Sequence, residues 1–407
     1  MLRVNAGRLL ADLEALGRIG RQESGGISRT AFSPADVLAR QWYRECCTQA
    51  GLALEVDGLG NMTASRRSDA DTTGAIWSGS HIDTVPNGGP LDGALGTVAA
   101  LECLRRITEE NLTLARPVRA LVFSDEEGSY GHLFGSYGLV NGYRPDVLET
   151  MVGRDGDRLV ETWADYPFRR DQPIGALDPR VVAGFVELHI EQGPRLEAAG
   201  LDIGVVTSIV GLGGGRLEFL GRADHAGTMP MPMRSDALLA AANFLTRLPA
   251  IAAGVSAAAA TCGIVRVAPS AANVVAETVT LTLDLREPSR AGVAALHNAV
   301  DAAARHAARL NGTTVDWTPD HIVDPVGMDA GTQRVIRDVT DALHLTRQDM
   351  PSGAGHDSQN LAQVAPTAMI FVPSHDGRSH CALEYTEPEL LVQGANVLLN
   401  ALIGLAS

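Results

Sequence analysis

Apolar and polar positions along this chain follow two periods, and the period changes in a regular order. Leu9, Leu10, Leu13 and Leu16 recur at helical spacing over residues 6–19. Ser33-Pro34-Ala35-Asp36 then reads as a helix start, with a capping hydroxyl, proline at the first position and an early negative charge. That helix is expected to run to about Gly51. Strands are expected at 52–56 and 74–80, a helix at 94–110 and a strand at 117–124 (PVRALVFS). A helical stretch near 133–142, a polar connection rich in Asp and Arg, and a strand at 182–190 (VAGFVELHI) follow. Strands alternating with helices in this way predict an α/β core on a largely parallel sheet.

Near Val210 the rhythm changes. The pattern predicts a strand at 216–222, a helix at 235–248, strands at 259–267 and 278–286, a helix at 291–310 and a strand at 313–317. This β-α-β-β-α-β order is that of the ferredoxin-like motif. The earlier rhythm resumes with a helix at 332–343, a strand at 367–373 and a helix at 388–405. The simplest organisation is a discontinuous catalytic domain, residues 1–210 and 322–407, interrupted by a smaller domain at 211–321. A chain of 407 residues is long enough for about two cores.

Metal-competent side chains fall just after predicted strands in four separate stretches. These are His81/Asp83/Asp92, Asp125-Glu126-Glu127, Glu187/His189/Glu191 and His375/Asp376/His380. In an open α/β fold the ends of such strands share one crevice, so the four stretches converge. A lone histidine in any of them reads equally as a core or surface residue; the shared topological position is what points to a metal site. Imidazole and carboxylate without cysteine suit Zn²⁺, Mn²⁺ or Co²⁺. Ser78 to Gly96, SGSHIDTVPNGGPLDGALG, carries the densest of these arrangements.

Composition narrows the partners. The formal net charge of -15 argues against nucleic acid or anionic membranes. No stretch approaches the ~18 consecutive apolar residues of a membrane span. The segment MLRVNAGRLLADLEALGR interleaves charge with its apolar residues, so no signal-peptide core is expected. Five cysteines without zinc-type spacing are expected as free thiols in a reducing cytoplasm. Every basic residue other than histidine is arginine, from which no function follows. Gly-Leu-Gly-Gly-Gly-Arg at 211–216 is not a dinucleotide fingerprint, because Arg216 holds the third glycine position and no helix pattern follows at once. No Gly-x-Ser-x-Gly elbow marks a serine hydrolase.

Seven motifs in order resemble one family: SGSHIDTVPNGGPLDGALG, FSDEEGS, ELHIEQGP, GRADHAGTMPM, NVVAETVTLTLDLRE, SGAGHDSQ and FVPSHDGRSHCALEYT. They resemble the hydantoinase/carbamoylase-type amidohydrolases of the metallopeptidase M20 clan. The resemblance implies a zinc-exopeptidase-like three-layer catalytic domain with an inserted ferredoxin-like lid and dimerisation domain. It implies two divalent metal ions per subunit, one on His81, Asp92 and His189, the other on Asp92, Glu127 and His380. Glu126 is implied as general base, and Asp83 as the acceptor that fixes the His81 tautomer, with loop capping as its alternative. Asp125 is read as a structural acid.

His225, Asn273 and Arg286 of the inserted domain are implied substrate contacts, with His225 acting on the oxyanion. The alternative for Arg286 is an edge ion pair with Asp284 or Glu287. Gln192, Arg216 and the backbone at Gly355 are further candidates. The implied reaction is cleavage of the ureido C–N bond of an N-carbamoyl-L-amino acid by a cytoplasmic homodimer. Allantoate is the alternative substrate. A dipeptidase, an aminoacylase or a non-catalytic metal-binding protein ranks behind both, because His189 stands where ordinary peptidases of the clan carry an acid. Two departures bear on the pocket. Tyr130-Gly131 replace the Arg-Phe common after Glu-Glu-Gly-x, and Cys381-Ala382-Leu383 replace Asn-Pro-x before Glu384.

Overall fold

The computed structural model describes residues 1–69, 74–169, 176–255 and 258–407. Two compact units emerge: Met1–Thr207 with Gly327–Ser407, and Ser208–Val326. In chain order the strands are β1 Ala53–Val56, β2 Met62–Ser65, β3 Ala75–His81, β4 Val118–Phe123, β5 Val182–Ile190, β6 Ile203–Ile209, β7 Gly211–Leu220, β8 Ala259–Ala268, β9 Thr278–Glu287, β10 Thr314–Pro319, β11 Val326–Gly327, β12 Arg347–Ser352 and β13 Thr367–Val372. The larger sheet runs β1-β2-β4-β3-β5-β13-β6-β11, with β12 beside β6.

Its centre is parallel: β4–β3, β3–β5 and β5–β13. These strands read as continuous apolar runs because both faces are covered; every residue of β3 and of β13 is buried. Trp77, Leu121, Phe123 and Phe185 pack together on one side. The edges, which the expectation of a largely parallel sheet left open, are antiparallel through β1–β2, β2–β4 and β13–β6. Short strands such as β2, and β12 with its polar Arg-Gln-Asp and internal proline, carry little period-2 signal. The polar connection after residue 142 holds two short helices, Pro145–Thr150 and Leu159–Trp163, while 170–175 lie outside the described residues.

Three helices frame the site, α1 Ala6–Arg18, α2 Pro34–Gln49 and α3 Ala94–Glu109. Ser33 caps α2 as its sequence predicts, accepting from the Asp36 N–H at 3.3 Å. Arg40, one turn in, is fully buried and paired with the equally buried Asp36 at 2.9 Å. The same guanidinium reaches the Gly60 carbonyl at 2.5 Å and the Ser124 hydroxyl at 3.2 Å. Tyr166 donates to Asp36 at 2.5 Å. The pair thus sits directly behind the acidic segment that follows β4.

The final helix, Pro388–Ala406, is long and apolar enough to cross a membrane by length and composition alone. Here Leu391, Ala395, Leu398, Leu399 and Leu402 are buried in the catalytic unit. Its asparagines bind the start of the chain: Asn396 accepts from Val4 N–H at 2.9 Å, and Asn400 exchanges bonds of 3.1 and 2.9 Å with Leu2. The composition is that of a core helix. All five cysteines are free, with Cys46, Cys47 and Cys103 buried.

The second unit is an antiparallel sheet in the order β10-β7-β9-β8. Helices Ala237–Leu245 and Arg290–Leu310 bury Phe244, Leu296 and Val300 against Phe219, Leu281 and Leu283. This is the ferredoxin-like arrangement that its element order predicts.

Removing Arg40 leaves the Asp36 charge buried without its partner, which costs about 3–5 kcal/mol. Arg40→Ala is therefore expected to lower the unfolding free energy by that amount, read from the midpoint of chemical denaturation at constant slope.

Candidate metal centre

The carboxyl ends of β3, β4, β5 and β13 lie side by side, and each launches a metal-competent residue. His81 closes β3 and His189 lies one residue from the end of β5. The Asp125-Glu126-Glu127 segment follows β4, and the loop with His380 follows β13. Asp92 arrives from the loop between β3 and α3.

Asp92 is the meeting point. Its Oδ1 stands 3.2 Å from His189 Nε2 and 3.6 Å from His81 Nε2. Its Oδ2 stands 3.1 Å from His380 Nε2, which in turn lies 3.5 Å from Glu127 Oε1. Two groups able to hold a metal ion share this residue, His81/Asp92/His189 and Asp92/Glu127/His380, each with its donor atoms within 4.8 Å of one another. The hydrogen bonds behind the ligands fit this use. His81 Nδ1 is 3.0 Å from the Asp83 carbonyl oxygen, and His189 Nδ1 is 2.9 Å from that of Ile190. A carbonyl only accepts, so both Nδ1 atoms carry hydrogen, and both Nε2 atoms face the centre, where displacing the protons they share with Asp92 would leave them as lone-pair ligands. Among the described residues Glu127 Oε1 is buried with no hydrogen-bond partner, a ready acceptor for a cation.

The electrostatics follow from crowding charge in a buried place. Burial pushes the Asp92 carboxyl up, but hydrogen bonds from His189, His380 and His81 outweigh it and hold Asp92 well below the usual range. The Asp92 contact raises His380 to about 9. Burial, then the Asp92 charge, lifts Glu127 to about 7. Burial raises Glu126 well above an ordinary glutamate; Asp357, Glu127 and Asp92 add to this against His81, whose Nε2 lies 3.7 Å from Glu126 Oε2. Protons held by this cluster are those a divalent cation displaces.

The Asp83 carboxylate does not take the His81 ring hydrogen, as the sequence suggested. It lies 3.8 Å from Nδ1, while the residue's own main-chain oxygen is closer. The carboxylate instead accepts the N–H of Glu127 at 3.1 Å and of Glu126 at 3.4 Å, holding the turn that presents both acids. Asp125 turns away and caps its own loop, accepting from Ser129, Tyr130 and Gly131 at 2.5, 2.8 and 3.1 Å.

Other members of the four stretches serve the frame. Glu187 accepts from the hydroxyls of Ser80 and Ser358, both at 2.7 Å. Glu191 caps the helix Arg195–Ala199 through Arg195 and Leu196 N–H, both at 2.8 Å. His375 and Asp376 sit at the surface with Glu197, away from Asp92.

Gln192, a candidate substrate contact, has its amide engaged within the centre, giving Nε2–H to Asp92 Oδ2 at 2.8 Å. Gly355 lies beside the His132 ring, where an added Cβ would sit 2.9 Å from Nε2. His132, which the sequence reading passed over, is anchored by Nδ1 to the Glu126 carbonyl at 3.1 Å. Its only sequence signal was its place just after the Tyr130-Gly131 departure. Tyr130 itself leaves the site, packing on Phe32 and bonding Asp157 and Thr162. His356 is buried against His189 at 4.6 Å between ring centres; burial and that neighbour keep its pKa well below the usual value.

In the inserted unit, His225 and Asn273 lie on paired loops: Ala226 N–H bonds the Asn273 carbonyl at 3.0 Å, and Val275 N–H that of Asp224 at 2.8 Å. His225 Nδ1 accepts from Gly227 and Thr228 N–H at 3.1 and 3.3 Å, which leaves Nε2 as the donor. Arg216 and Arg286 share one sheet face, since Leu212 pairs with Arg286 and Arg216 with Thr282 four positions along each strand, an even number. Each arginine has a carboxylate neighbour on its own strand, Glu218 at 2.6 Å and Asp284 at 2.8 Å.

A cluster of imidazoles and carboxylates able to hold divalent metal on an α/β unit, with a ferredoxin-like insertion, defines a class of metal-dependent hydrolase, and comparison with known proteins gives its family. The model of peptidase family M20/M25/M40 matches residues 77–403, and the chain belongs to that family, in its hydantoinase/carbamoylase branch. Members use divalent metals, and this chain is a metal-dependent hydrolase of amide C–N bonds. It is 33% identical over 404 residues to an N-carbamoyl-L-amino-acid amidohydrolase of Paenarthrobacter aurescens, covering 98% of each chain. It is 31% identical to the allantoate amidohydrolase of Escherichia coli (strain K12), covering 96% of each. A crystal structure of a hydantoinase/carbamoylase family amidase from Burkholderia multivorans superposes with a TM-score of 0.92 at 33% identity, over 99% of this chain and 98% of that one.

Gly93 joins Asp92 to α3 with φ +63°, and an added Cβ would lie 2.4 Å from the His81 ring. Gly93→Ala is therefore expected to displace His81 and lower bound metal in the purified protein. Metal content equal to wild type by elemental analysis would refute this.

Proposed function

We propose that the chain hydrolyses the ureido C–N bond of N-carbamoyl-L-amino acids to amino acid, ammonia and carbon dioxide, using two divalent ions per subunit. The observation that carries this reading is the single carboxylate of Asp92 facing two ligand groups, His81/His189 through Oδ1 and Glu127/His380 through Oδ2. The similarity to an N-carbamoyl-L-amino-acid amidohydrolase along nearly the whole chain supports the substrate class. Zn²⁺, Mn²⁺ and Co²⁺ all suit these donors. A bound pair of such ions supplies an activated water and polarises the substrate carbonyl.

Glu126 is the general base in this reading. It is buried beside His81 and is in neither metal group, so its carboxylate is left to take a proton from the attacking water. Water adds to the ureido carbonyl, the bond to the amino-acid nitrogen breaks, and Glu126 returns the proton to that nitrogen. The released carbamate decomposes to ammonia and carbon dioxide. Asp83 keeps Glu126 in place through its main-chain bonds.

We assign substrate contacts to His225, Asn273 and Arg286 of the inserted unit, in a homodimer built through that unit. The Nε2–H of His225 suits a developing oxyanion, and the Arg286 fork suits an α-carboxylate. Arg216, Gln192 and the backbone at Gly355 are further proposed substrate contacts. Allantoate stands as the second reading because of the similarity to an allantoate amidohydrolase.

Glu126→Gln is expected to retain metal and lose kcat by about 100-fold or more; near-wild-type turnover removes Glu126 from the mechanism. Metal-reconstituted protein should release product from N-carbamoyl-L-amino acids faster than from allantoate, N-carbamoyl-β-alanine or N-acetyl amino acids. A preference for the acetyl series would sink the ureido reading, and a preference for allantoate would select the second one.

A further inference from the structure

Among the described residues Glu384 belongs to none of the groups that could hold a metal, yet it is buried with both carboxylate oxygens engaged at the centre. Oε1 accepts from the backbone N–H of Leu91 at 2.7 Å and of Asp92 at 3.0 Å. Oε2 accepts from the Ser379 hydroxyl at 2.7 Å. That hydroxyl is also 3.0 Å from Asp92 Oδ2, so its one proton serves one carboxylate at a time. The chain is built to admit Glu384: a Cβ on Gly89 would stand 2.1 Å from its Cδ and Oε1.

We propose that Glu384 is a positioning residue that fixes the main chain of Asp92 and keeps the Ser379 hydroxyl in place beside Asp92 Oδ2, which also accepts from Gln192 Nε2–H at 2.8 Å. Asp92 can then show one oxygen to each half of the centre only while its backbone and its Oδ2 are both held. The Cys381-Ala382-Leu383 departure lies next to this contact. These residues span the gap between His380 and Glu384, and the hydrogen bonds of Glu384 hold its far end whatever the span contains. Glu384 N–H itself bonds the Cys381 carbonyl at 3.1 Å, closing the turn. The inference rests on the ligand assignment proposed above.

The test is a titration of chelator-stripped full-length protein with Mn²⁺, followed by calorimetry and by metal retained after gel filtration. Glu384→Ala is expected to weaken Mn²⁺ binding by about 10–100-fold and to leave KM for an N-carbamoyl amino acid unchanged at saturating metal. Glu384→Gln should bind Mn²⁺ like wild type, because the amide oxygen still accepts both N–H groups and its NH₂ donates to Ser379. Ser379→Ala should weaken binding without moving the thermal midpoint. A wild-type isotherm for Glu384→Ala overturns the proposal, as does Glu384→Gln binding as weakly as Glu384→Ala. Should Glu384→Ala fail to fold, a wild-type isotherm for Ser379→Ala overturns it. Asp92→Asn separates the two readings. Unchanged Mn²⁺ binding there removes the ligand assignment itself, whereas its loss beside a normal Glu384→Ala removes only the positioning role.

Discussion

Three imidazoles converge on the two oxygens of Asp92, and most of the catalytic unit is arranged so that this carboxylate can be buried and directional together. Burying one ionised carboxylate among other acids is costly, and the cost is met by charge-assisted hydrogen bonds and, when loaded, by cations. The ring nitrogens away from Asp92 are fixed by main-chain carbonyls for His81 and His189, so the tautomers are set by the strands themselves. The turn carrying Glu126 and Glu127 is set in the same way, by the carboxylate of Asp83 gripping two peptide N–H groups. The positions of the catalytic side chains are thus a property of backbone held at strand ends.

Behind that backbone lies a second buried charge system. Arg40 and Asp36, both without solvent contact, connect the first turn of α2 to Ser124 at the root of the acidic turn. A buried ion pair is a poor source of net stability but a strong constraint on geometry, since neither member can move away from the other. The site is therefore braced from the helical layer as well as from the sheet. In the inserted unit the candidate contacts rest on a sheet face and on two paired loops, with their own apolar core beneath.

The parts of this architecture that were legible in the sequence are those with strong periodicity or dense chemistry. The parallel strands β3, β4, β5 and β13 read out because continuous apolar runs end abruptly in His, Asp or Glu. The inserted unit read out because its element order is specific. The antiparallel edges escaped notice, since β2 is short and β12 is polar with a proline.

Among the site residues, the ones that could be read were those whose side-chain type is itself the chemistry. What could not be read was the set of hydrogen bonds that fix the site: which peptide N–H groups the Asp83 carboxylate accepts, that Gln192 gives its amide N–H to Asp92, and that the His132 ring is anchored on the Glu126 carbonyl. Hydrogen bonds to the main chain leave no trace in residue spacing.

The interruption of the catalytic unit has a consequence for how the chain reaches this state. Strands β5 and β13 are neighbours in register, Phe185 opposite Thr367, although the whole of 208–326 lies between them in the chain. Pairing them from an unfolded chain means closing a very long loop. The insertion removes much of that search, because its first and last strands are themselves paired, Gly215 opposite Pro319, with Leu212 bridged to Val323. Once its own core has formed, the two points where the chain leaves and re-enters the sheet are held together. The inserted unit then works as a clasp that turns a distant contact into a local one.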